Sequence, residues 1–225
     1  MRIGVVIAMD KEFRQVRSLL GGETAAGTEG MARGRIGDND ITLSRCGIGK
    51  VNAAIGTVEL IRRFNPDVVV STGVAGGVPV TLSPQDVVVA EATCYHDVYC
   101  GPECERGQVM GLPAKFICDA PLVDKAKRLE CGVRVRTGLI VTGDWFVDER
   151  SVMSRIVSHF PGALAVDMES AAIAQTCLAY SKPFISFRII SDVPLKDHKA
   201  QMYHDFWDTM AEKSFSVTKA FLEAL

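Results

Sequence analysis

Residues 163–193, ALAVDMESAAIAQTCLAYSKPFISFRIISDV, predict the unit on which the fold is built. The short apolar run at residues 163–166 predicts a strand, and the dense apolar run at residues 184–190 is typical of a strand buried on both faces. Between them a helix is indicated by residues that recur at helical spacing, namely Ile173, Cys177 and Tyr180. Lys182-Pro183 ends this helix, so the stretch reads as strand, helix, strand.

Polar residues and one methionine stand where these two strands end. They are Asp167, Met168 and Glu169 after the first strand, and Arg188, Ser191 and Asp192 at the end of the second. In an open α/β sheet, ligands bind in the crevice beyond the carboxyl ends of the strands. We therefore expect the carboxylates of Glu169 and Asp192 to face one ligand.

Three more predicted strands end in the same way elsewhere in the chain. Polar or glycine-rich segments follow them at residues 9–12, 72–77 and 143–147. The segment 72–77, TGVAGG, is expected to be a loop in which glycine lets backbone N–H groups approach a ligand. Helices alternate with strands throughout, which predicts an α/β fold with one domain over residues 1–225. Its sheet is expected to be mixed, mostly parallel and twisted, with helices on its faces.

Three further segments shape the predicted domain. Residues 23–40 are rich in glycine and polar residues and predict a hairpin region. A helix at residues 51–61 is indicated by an apolar face of Val51, Ala54, Ile55, Val58 and Ile61. Residues 204–225 predict an amphipathic C-terminal helix that packs on the sheet.

Composition limits the partners and the location of the protein. The chain has 225 residues, 48% hydrophobic and 23% charged, with a net charge of −2 that gives no support for a nucleic-acid or anionic-membrane partner. No apolar run approaches the length that spans a bilayer, and residues 1–8 are too short for a signal peptide. Most of the seven cysteines lie in apolar surroundings, which indicates buried thiols in a reducing compartment. A cytoplasmic protein is expected.

Two local patterns resemble known sites but do not match them. Cys94, His96, Cys100 and Cys104 fit no standard zinc spacing, so no metal is expected. Residues 46–50, CGIGK, lack the first glycine and the final Ser or Thr of a phosphate-binding loop. We expect neither a nucleoside triphosphate site nor any cofactor.

The candidate site combines three acids, Glu12, Glu169 and Asp192, with Arg188 and the aromatic Phe146. Such a set suits an uncharged polar ligand with hydroxyl groups and a flat ring. Clustered acids raise one another's pKa, so one can donate a proton while another stays ionised. That division is the chemistry of glycoside cleavage. Other acids are expected to be helix caps or surface groups, namely Asp10, Glu91 and Asp148.

Several segments, taken together and in order, make a specific match to a known family. They are IGVVIAMDKE, CGIGKVNAA, DVVVSTGVAGG, ATCYHD, GLIVTGDWF, AVDMESAAIA and FRIISD. The chain resembles the 5′-methylthioadenosine/S-adenosylhomocysteine nucleosidases of the purine nucleoside phosphorylase/uridine phosphorylase superfamily, nearly end to end. The resemblance implies a single nucleoside hydrolase domain, a homodimer, and no cofactor or metal.

The resemblance also implies roles for the predicted catalytic residues. Glu12 would be the base that activates the attacking water, and Asp192 would be the acid that protonates adenine N7. Glu169 would accept hydrogen bonds from the ribose hydroxyls. Arg188 would help to hold Glu12 and the water, and Ser191 would orient Asp192.

The same family implies a set of substrate-binding positions. Phe146 would stack on adenine, the backbone of Val147 would read its N1 and N6 edge, and Met168 would pack on the sugar. The ribose and the 5′ side would be lined by Ile48, Val74, Ala75 and Gly76. This chain departs from the family pattern in two places. It has Val74 where the family often has Ser. Its segment 98–108, VYCGPECERGQ, has no clear counterpart of the aromatic residue that covers the 5′ pocket of the partner subunit in the family, although Tyr99 could serve instead.

Three alternatives stay open at this stage. A phosphorylase of the same superfamily would need cations or helix N-termini for phosphate, whereas Glu12 stands where the anion would sit. A hydrolase of aminodeoxyfutalosine-type nucleosides is compatible with the same adenine-reading backbone. A non-catalytic nucleoside-binding protein would not need a base and an acid on opposite sides of the bond.

Overall fold

The computed structural model describes residues 1–24, 29–130, 132–197 and 199–225. Ten strands lie in these residues: β1 Arg2–Ile7, β2 Gly21–Thr24, β3 Met31–Ile36, β4 Asn39–Arg45, β5 Val68–Gly77, β6 Val87–Tyr95, β7 Phe116–Ile117, β8 Val135–Thr142, β9 Ala163–Asp167 and β10 Phe184–Asp192. The helices are α1 Asp10–Arg17, α2 Lys50–Phe64, α3 Ala120–Lys127, α4 Arg150–His159, α5 Ser170–Ala179, α6 Lys199–Asp205 and α7 Ala211–Ala224. Four residues of the predicted hairpin region, 25–28, and Cys131 lie outside the described residues.

The strands form one mixed sheet, part of which closes on itself. β5 pairs with β10 along most of its length and with β9 at Gly76 and Gly77. β6 and β8 complete the ring between β10 and β9. On the other side of β5 the sheet continues through β1, β4, β3 and β2. The predicted α/β fold with a mixed sheet flanked by helices is confirmed.

The strand–helix–strand unit lies at the centre of this arrangement. Every residue of β10 except Asp192 is buried, as the apolar run predicts for a strand covered on both faces. α5 buries Ile173 and Cys177 against the sheet and ends at Ala179, before the predicted break at Lys182-Pro183. β9 and β10 thereby deliver their carboxyl ends to one edge.

Three predictions about segments were wrong in detail. Residues 72–77 are not a loop, because they continue β5 and pair with β10 and β9. The C-terminal helix is not continuous, since a π-helical turn at Phe206–Met210 separates α6 from α7. α2 packs through Ala53 and Leu60, whereas Val51 and Ile55 of the predicted apolar face are exposed.

Within the described ranges, no helix is long and apolar enough to cross a membrane.

Candidate active site

A cavity opens where β1, β5, β8, β9 and β10 end. Seventeen residues line it: Ala8, Met9, Glu12, Ile48, Val74, Ala75, Gly76, Trp145, Phe146, Val147, Val166, Asp167, Met168, Glu169, Ser191, Asp192 and Tyr203. The structure thus brings together every predicted site residue except Arg188, which lies buried behind the wall. Ala8, Met9, Trp145, Val166, Asp167 and Tyr203 were not predicted to be site residues.

Glu12 is held at the floor of the cavity by backbone groups. It is the third residue of α1, and its Oε2 accepts the N–H of the N-cap residue Met9 at 3.0 Å. Its Oε1 accepts the N–H of Val74 on β5 at 2.7 Å. Burial, at 2% exposure, raises the pKa of this carboxyl against the opposing effect of the two N–H groups and Arg188. Glu12 is therefore a fixed carboxylate with increased basicity.

Gly73 allows the approach of Glu12 to β5. A Cβ at this position would lie 2.6 Å from Oε1 of Glu12 and 2.7 Å from Nη1 of Arg188. Its φ of 149° is also one that side chains disfavour. The sequence pointed to glycines in this segment as contacts for a ligand, whereas Gly73 makes room for two side chains of the protein itself.

Arg188 is 1% exposed and lies behind the cavity wall. Its Nε contacts Oδ2 of Asp167 at 2.8 Å, and its Nη2 donates to Ser71 at 2.8 Å and to Ser170 at 3.1 Å. Glu169 Oε2 is 3.9 Å from the same Nη2. The main partner of Arg188 is therefore Asp167, which sequence reasoning noticed at a strand end but gave no role.

Glu169 is the N-cap residue of α5 and lines the same cavity as Glu12. Its Oε1 accepts the N–H of Gly49 at 2.9 Å, so the glycine turn before α2 is bound to the acid. Burial raises the pKa of Glu169 to about 7, with Arg188 opposing and Asp167 adding to the rise. This group changes its charge near neutral pH.

Asp192 ends β10 and is half-buried in the wall. The hydroxyl of Ser191 donates to its Oδ1 at 2.7 Å. A β-bulge between Ile190 and Asp192 changes the register of β10 against β5. The register thus shifts directly before Asp192, and the Ser191 hydroxyl holds one of its two oxygens.

The mouth of the cavity is apolar and open. Ile48, Trp145 and Phe146 are 52%, 53% and 61% exposed. Tyr203 on α6 meets Phe146 edge to face, with ring centroids 6.0 Å apart. Tyr203 is far from the other site residues in sequence and follows no predicted strand, so the rule that polar residues follow strand ends does not identify it.

The segment after β8 is tied to the glycine turn by charged groups. Asp144 Oδ1 accepts the N–H of Lys50 at 2.8 Å, and Lys50 Nζ lies 2.7 Å from Asp97. Asp97 in turn accepts the N–H of Asp144 at 2.9 Å. These contacts fix the backbone that carries Trp145 and Phe146.

The acids expected at the surface lie there. Asp10 pairs with Arg14 and Arg45 outside the cavity, and Glu91 pairs with Lys127 at 2.9 Å. Asp148 is exposed. Among the described residues, no group of three or more His, Cys, Asp or Glu could hold a metal ion.

The chain is similar to a well-defined set of proteins. A family model described as the phosphorylase superfamily matches residues 2–223. The 5′-methylthioadenosine/S-adenosylhomocysteine nucleosidase of Haemophilus influenzae (strain 86-028NP) is 37% identical over 231 residues, covering 100% of both chains. The corresponding enzyme of Geobacillus sp. (strain WCH70) is also 37% identical, covering 100% of this chain and 99% of the other.

Solved structures of nucleosidases are also similar to this chain. The Neisseria meningitidis nucleosidase of the same name, in complex with methylthio-immucillin-A, superposes with a TM-score of 0.91 at 35% identity, covering 100% of this chain and 99% of that one. The nucleosidase from Colwellia psychrerythraea 34H, in complex with adenine, has a TM-score of 0.91 at 34% identity and coverage of 100% and 96%.

Proposed function

The chain belongs to the 5′-methylthioadenosine/S-adenosylhomocysteine nucleosidases of the phosphorylase superfamily, and from this premise we propose the mechanism by which it acts on these nucleosides. It is an N-glycosyl hydrolase. Residues 1–225 act as one domain that cleaves the bond between adenine and the 5′-thio-ribose with water. The observation that carries the proposal is the convergence of Glu12, Glu169 and Asp192 on one cavity.

Asp192 protonates N7 of adenine. Protonation makes the base a neutral leaving group, which removes the cost of developing negative charge on the ring. The hydroxyl of Ser191 donates to Oδ1 at 2.7 Å and so orients the carboxyl group that transfers the proton. A relative of 34% identity holds adenine, in agreement with an adenine site in this cavity.

Glu12 is the base for the attacking water. Its two oxygens are held at 2.7 and 3.0 Å from backbone N–H groups, so the side chain cannot turn away from the water. Its raised pKa makes it a stronger base than an exposed carboxylate. Arg188 adds a nearby positive charge that lowers the pKa of Glu12 against the effect of burial.

Glu169 binds the ribose hydroxyls. Oε1 is engaged by Gly49, and Oε2 is 3.9 Å from Arg188, which leaves acceptor capacity for a diol. Charge on this carboxylate also stabilises the positive charge that develops on the sugar as the bond breaks. Met168, adjacent in the wall, packs against the sugar.

The apolar mouth binds the base and the 5′ substituent. Phe146 stacks on adenine, and the backbone of the buried Val147 reads its N1 and N6 edge. Ile48 and the β5 residues Val74, Ala75 and Gly76 line the ribose and the 5′ side. Tyr203 and Trp145 extend this apolar surface beyond the predicted residues.

The charge of the lining favours water over phosphate as the nucleophile. Of the described residues that line the cavity, none is Lys or Arg and four are acidic, namely Glu12, Asp167, Glu169 and Asp192. A phosphate dianion would meet the carboxylates of Glu12, Glu169 and Asp192, with no cation among the described lining residues to bind it. We therefore place phosphorolysis second.

The first experiment measures adenine release from 5′-methylthioadenosine by chromatography, in phosphate-free buffer and with added phosphate. Adenine and free methylthioribose in both buffers are the expected products. A requirement for phosphate, with a sugar 1-phosphate as product, would make the chain a phosphorylase and contradict the role of Glu12. No cleavage in either buffer would direct the assay to aminodeoxyfutalosine-type nucleosides.

We also propose that the protein is a homodimer. Val51 and Ile55 lie one turn apart on α2 and are 69% and 61% exposed, and Ile48 just before them is 52% exposed. These residues form an apolar face beside the mouth of the cavity that a second copy would cover. Tyr99, beneath the guanidinium of Arg106 at 5.0 Å, is 60% exposed and remains the candidate for the aromatic that a partner contributes. A monomeric mass by light scattering would contradict this proposal.

A further inference from the structure

One buried carboxylate at the site has no role in the steps above. The side chain of Asp167 is 1% exposed, against 6% for the residue as a whole, so what it presents to the cavity is mainly backbone. A carboxylate that does not reach the ligand is costly to bury unless a partner compensates for it. The partner of Asp167 is Arg188, at 2.8 Å.

Both members of this pair are held by further contacts. Oδ1 of Asp167 accepts the Thr142 hydroxyl at 2.6 Å, and both carboxylate oxygens lie 3.3 Å from the N–H of Ser170. The guanidinium of Arg188 donates through Nη2 to Ser71 and Ser170. With Nε and Nη2 engaged in this way, the planar guanidinium has one orientation.

That orientation directs the remaining nitrogen toward the base. Nη1 of Arg188 and Oε1 of Glu12 lie 2.7 and 2.6 Å from the same point, the position of a Cβ on Gly73. The two atoms can therefore be no farther apart than the sum of these distances, and at this range the charge of Arg188 lowers the pKa of Glu12.

We propose that Asp167 is a positioning residue for hydrolysis, which orients the guanidinium of Arg188 beside Glu12 and offsets its positive charge. The inference rests on the proposed function, in which Glu12 is the base. Asp167 makes no contact with substrate and acts through Arg188.

The charge of Asp167 has a measurable consequence. It raises the pKa of both Glu12 and Glu169, whereas Arg188 lowers them. The other titratable groups that interact with Asp167, Arg188 or the two glutamates are Cys46, His96 and Tyr203. Burial lowers the pKa of His96, so this imidazole is mostly uncharged at neutral pH. Burial raises the pKa of Cys46 to about 12 and also raises that of Tyr203, so neither loses its proton near neutral pH. Loss of the Asp167 charge should therefore lower the pKa values of Glu12 and Glu169.

The test compares Asp167→Asn with wild type in the methylthioadenosine assay across pH. We expect kcat to fall about 10- to 100-fold with KM changed less than about 3-fold, since the defect is in the orientation of the groups that activate water. The acidic limb of the pH profile should move to lower pH. Asp167→Glu keeps the charge and should return the limb toward its wild-type position.

Asp86→Asn is the matched control. Asp86 is also buried, at 7% exposure, and is paired with an arginine, Arg134, at 3.2 Å, but it does not line the cavity. Its substitution removes the same charge from an acid–arginine pair outside the cavity, in which the arginine side chain is 50% exposed. We expect the kcat and the acidic limb of Asp86→Asn to match wild type.

Other results would overturn the inference. A folded Asp167→Asn enzyme with wild-type kcat, or one with lower kcat and an unmoved acidic limb, would reduce Asp167 to a packing role. If Asp167→Asn does not fold, Ser71→Ala decides, because it removes one Arg188 contact with a small change in volume. It should lower kcat several-fold with little effect on KM, and unchanged kcat would reject the positioning of Arg188. Wild-type enzyme that releases no adenine would instead reject the proposed function, and this inference with it.

Discussion

The two ends of the cavity are built in opposite ways. At the inner end, Glu12, Glu169 and Arg188 are 2%, 6% and 1% exposed, and each is held by hydrogen bonds to its own chain. At the outer end, Trp145 and Phe146 are 53% and 61% exposed. The inner groups are already in place for chemistry before any ligand arrives. The outer residues leave apolar surface that a nucleoside or a second copy of the chain would cover.

This difference predicts that the inner end determines the chemical step and that the outer end determines ligand binding. Substitutions at the inner end should change turnover and the pH dependence. Substitutions at the outer end should change binding and leave both the fold and the chemical step largely intact. The predictions that follow test this division.

The largest effect is expected at Asp192, the proposed proton donor. Asp192→Asn should lower kcat by about 10²- to 10⁴-fold while KM stays within a few-fold, because protonation of the leaving group belongs to the transition state. Steady-state kinetics of adenine release measures both constants. Asp197→Asn is the control, since this acid five positions later has an 87% exposed side chain. Wild-type turnover in Asp192→Asn would remove Asp192 from the acid role.

Gly73 tests how closely the inner groups are packed. Gly73→Ala would place a methyl group 2.6 Å from Glu12 and 2.7 Å from Arg188, at a φ of 149°. We expect a loss of stability of about 1–3 kcal/mol and a fall in kcat of about 100-fold. Thermal unfolding and steady-state kinetics measure the two effects.

Gly162→Ala is the matched control for this change, because nothing lies within 4 Å of a Cβ there. Its stability and turnover should be those of wild type. If Gly73→Ala behaved like this control, the tight approach of Glu12 and Arg188 to β5 would be wrong.

The pH dependence should separate activity from stability. In the proposed mechanism Glu169 binds the diol as a carboxylate, so activity should fall as pH drops through about 7, the pKa to which burial raises this group. Between its ordinary value of 4.5 and about 7, the folded state binds more protons than the unfolded state. The unfolding free energy should therefore fall as pH rises across this window.

Denaturant unfolding at several pH values, beside a pH–rate profile, checks both signs. Glu169→Gln should flatten the dependence of stability on pH in this window. Stability that rose with pH between 4.5 and 7 in wild type but not in this variant would contradict the raised pKa of Glu169.

The smallest effect is expected at the open mouth. Phe146→Ala should raise KM by roughly 3- to 10-fold through lost stacking, with kcat within about 3-fold. Stability should change by less than about 0.5 kcal/mol, since the side chain is 61% exposed. Ile117→Ala, at 75% exposure, controls for loss of an exposed apolar group elsewhere. A large fall in kcat without a change in KM would place Phe146 with the inner groups.

The rule that ligands bind beyond the carboxyl ends of the strands accounts for the part of the site that could be predicted. Four predicted site residues line the cavity, and each stands at the end of a strand or shortly after it: Glu12, Phe146, Glu169 and Asp192. Tyr203 could not be found in this way, because α6 reaches the cavity only through the packing of the C-terminal segment. Gly73 lies in a segment whose glycines predict contacts with a ligand, yet its role depends on two side chains from other elements.

Sequence by itself determined the elements, their alternation and the edge of the sheet at which polar groups gather, because these follow from local patterns of apolar and polar residues. It also determined the family, through motifs spread along the chain. Only the tertiary structure decided which partner each buried charge has. Asp167 and Arg188 are 21 positions apart and lie on strands that do not pair directly with each other, so their contact depends on how α5 and the ring of strands pack around them. Burial then sets the pKa values, and no local pattern encodes burial by distant residues.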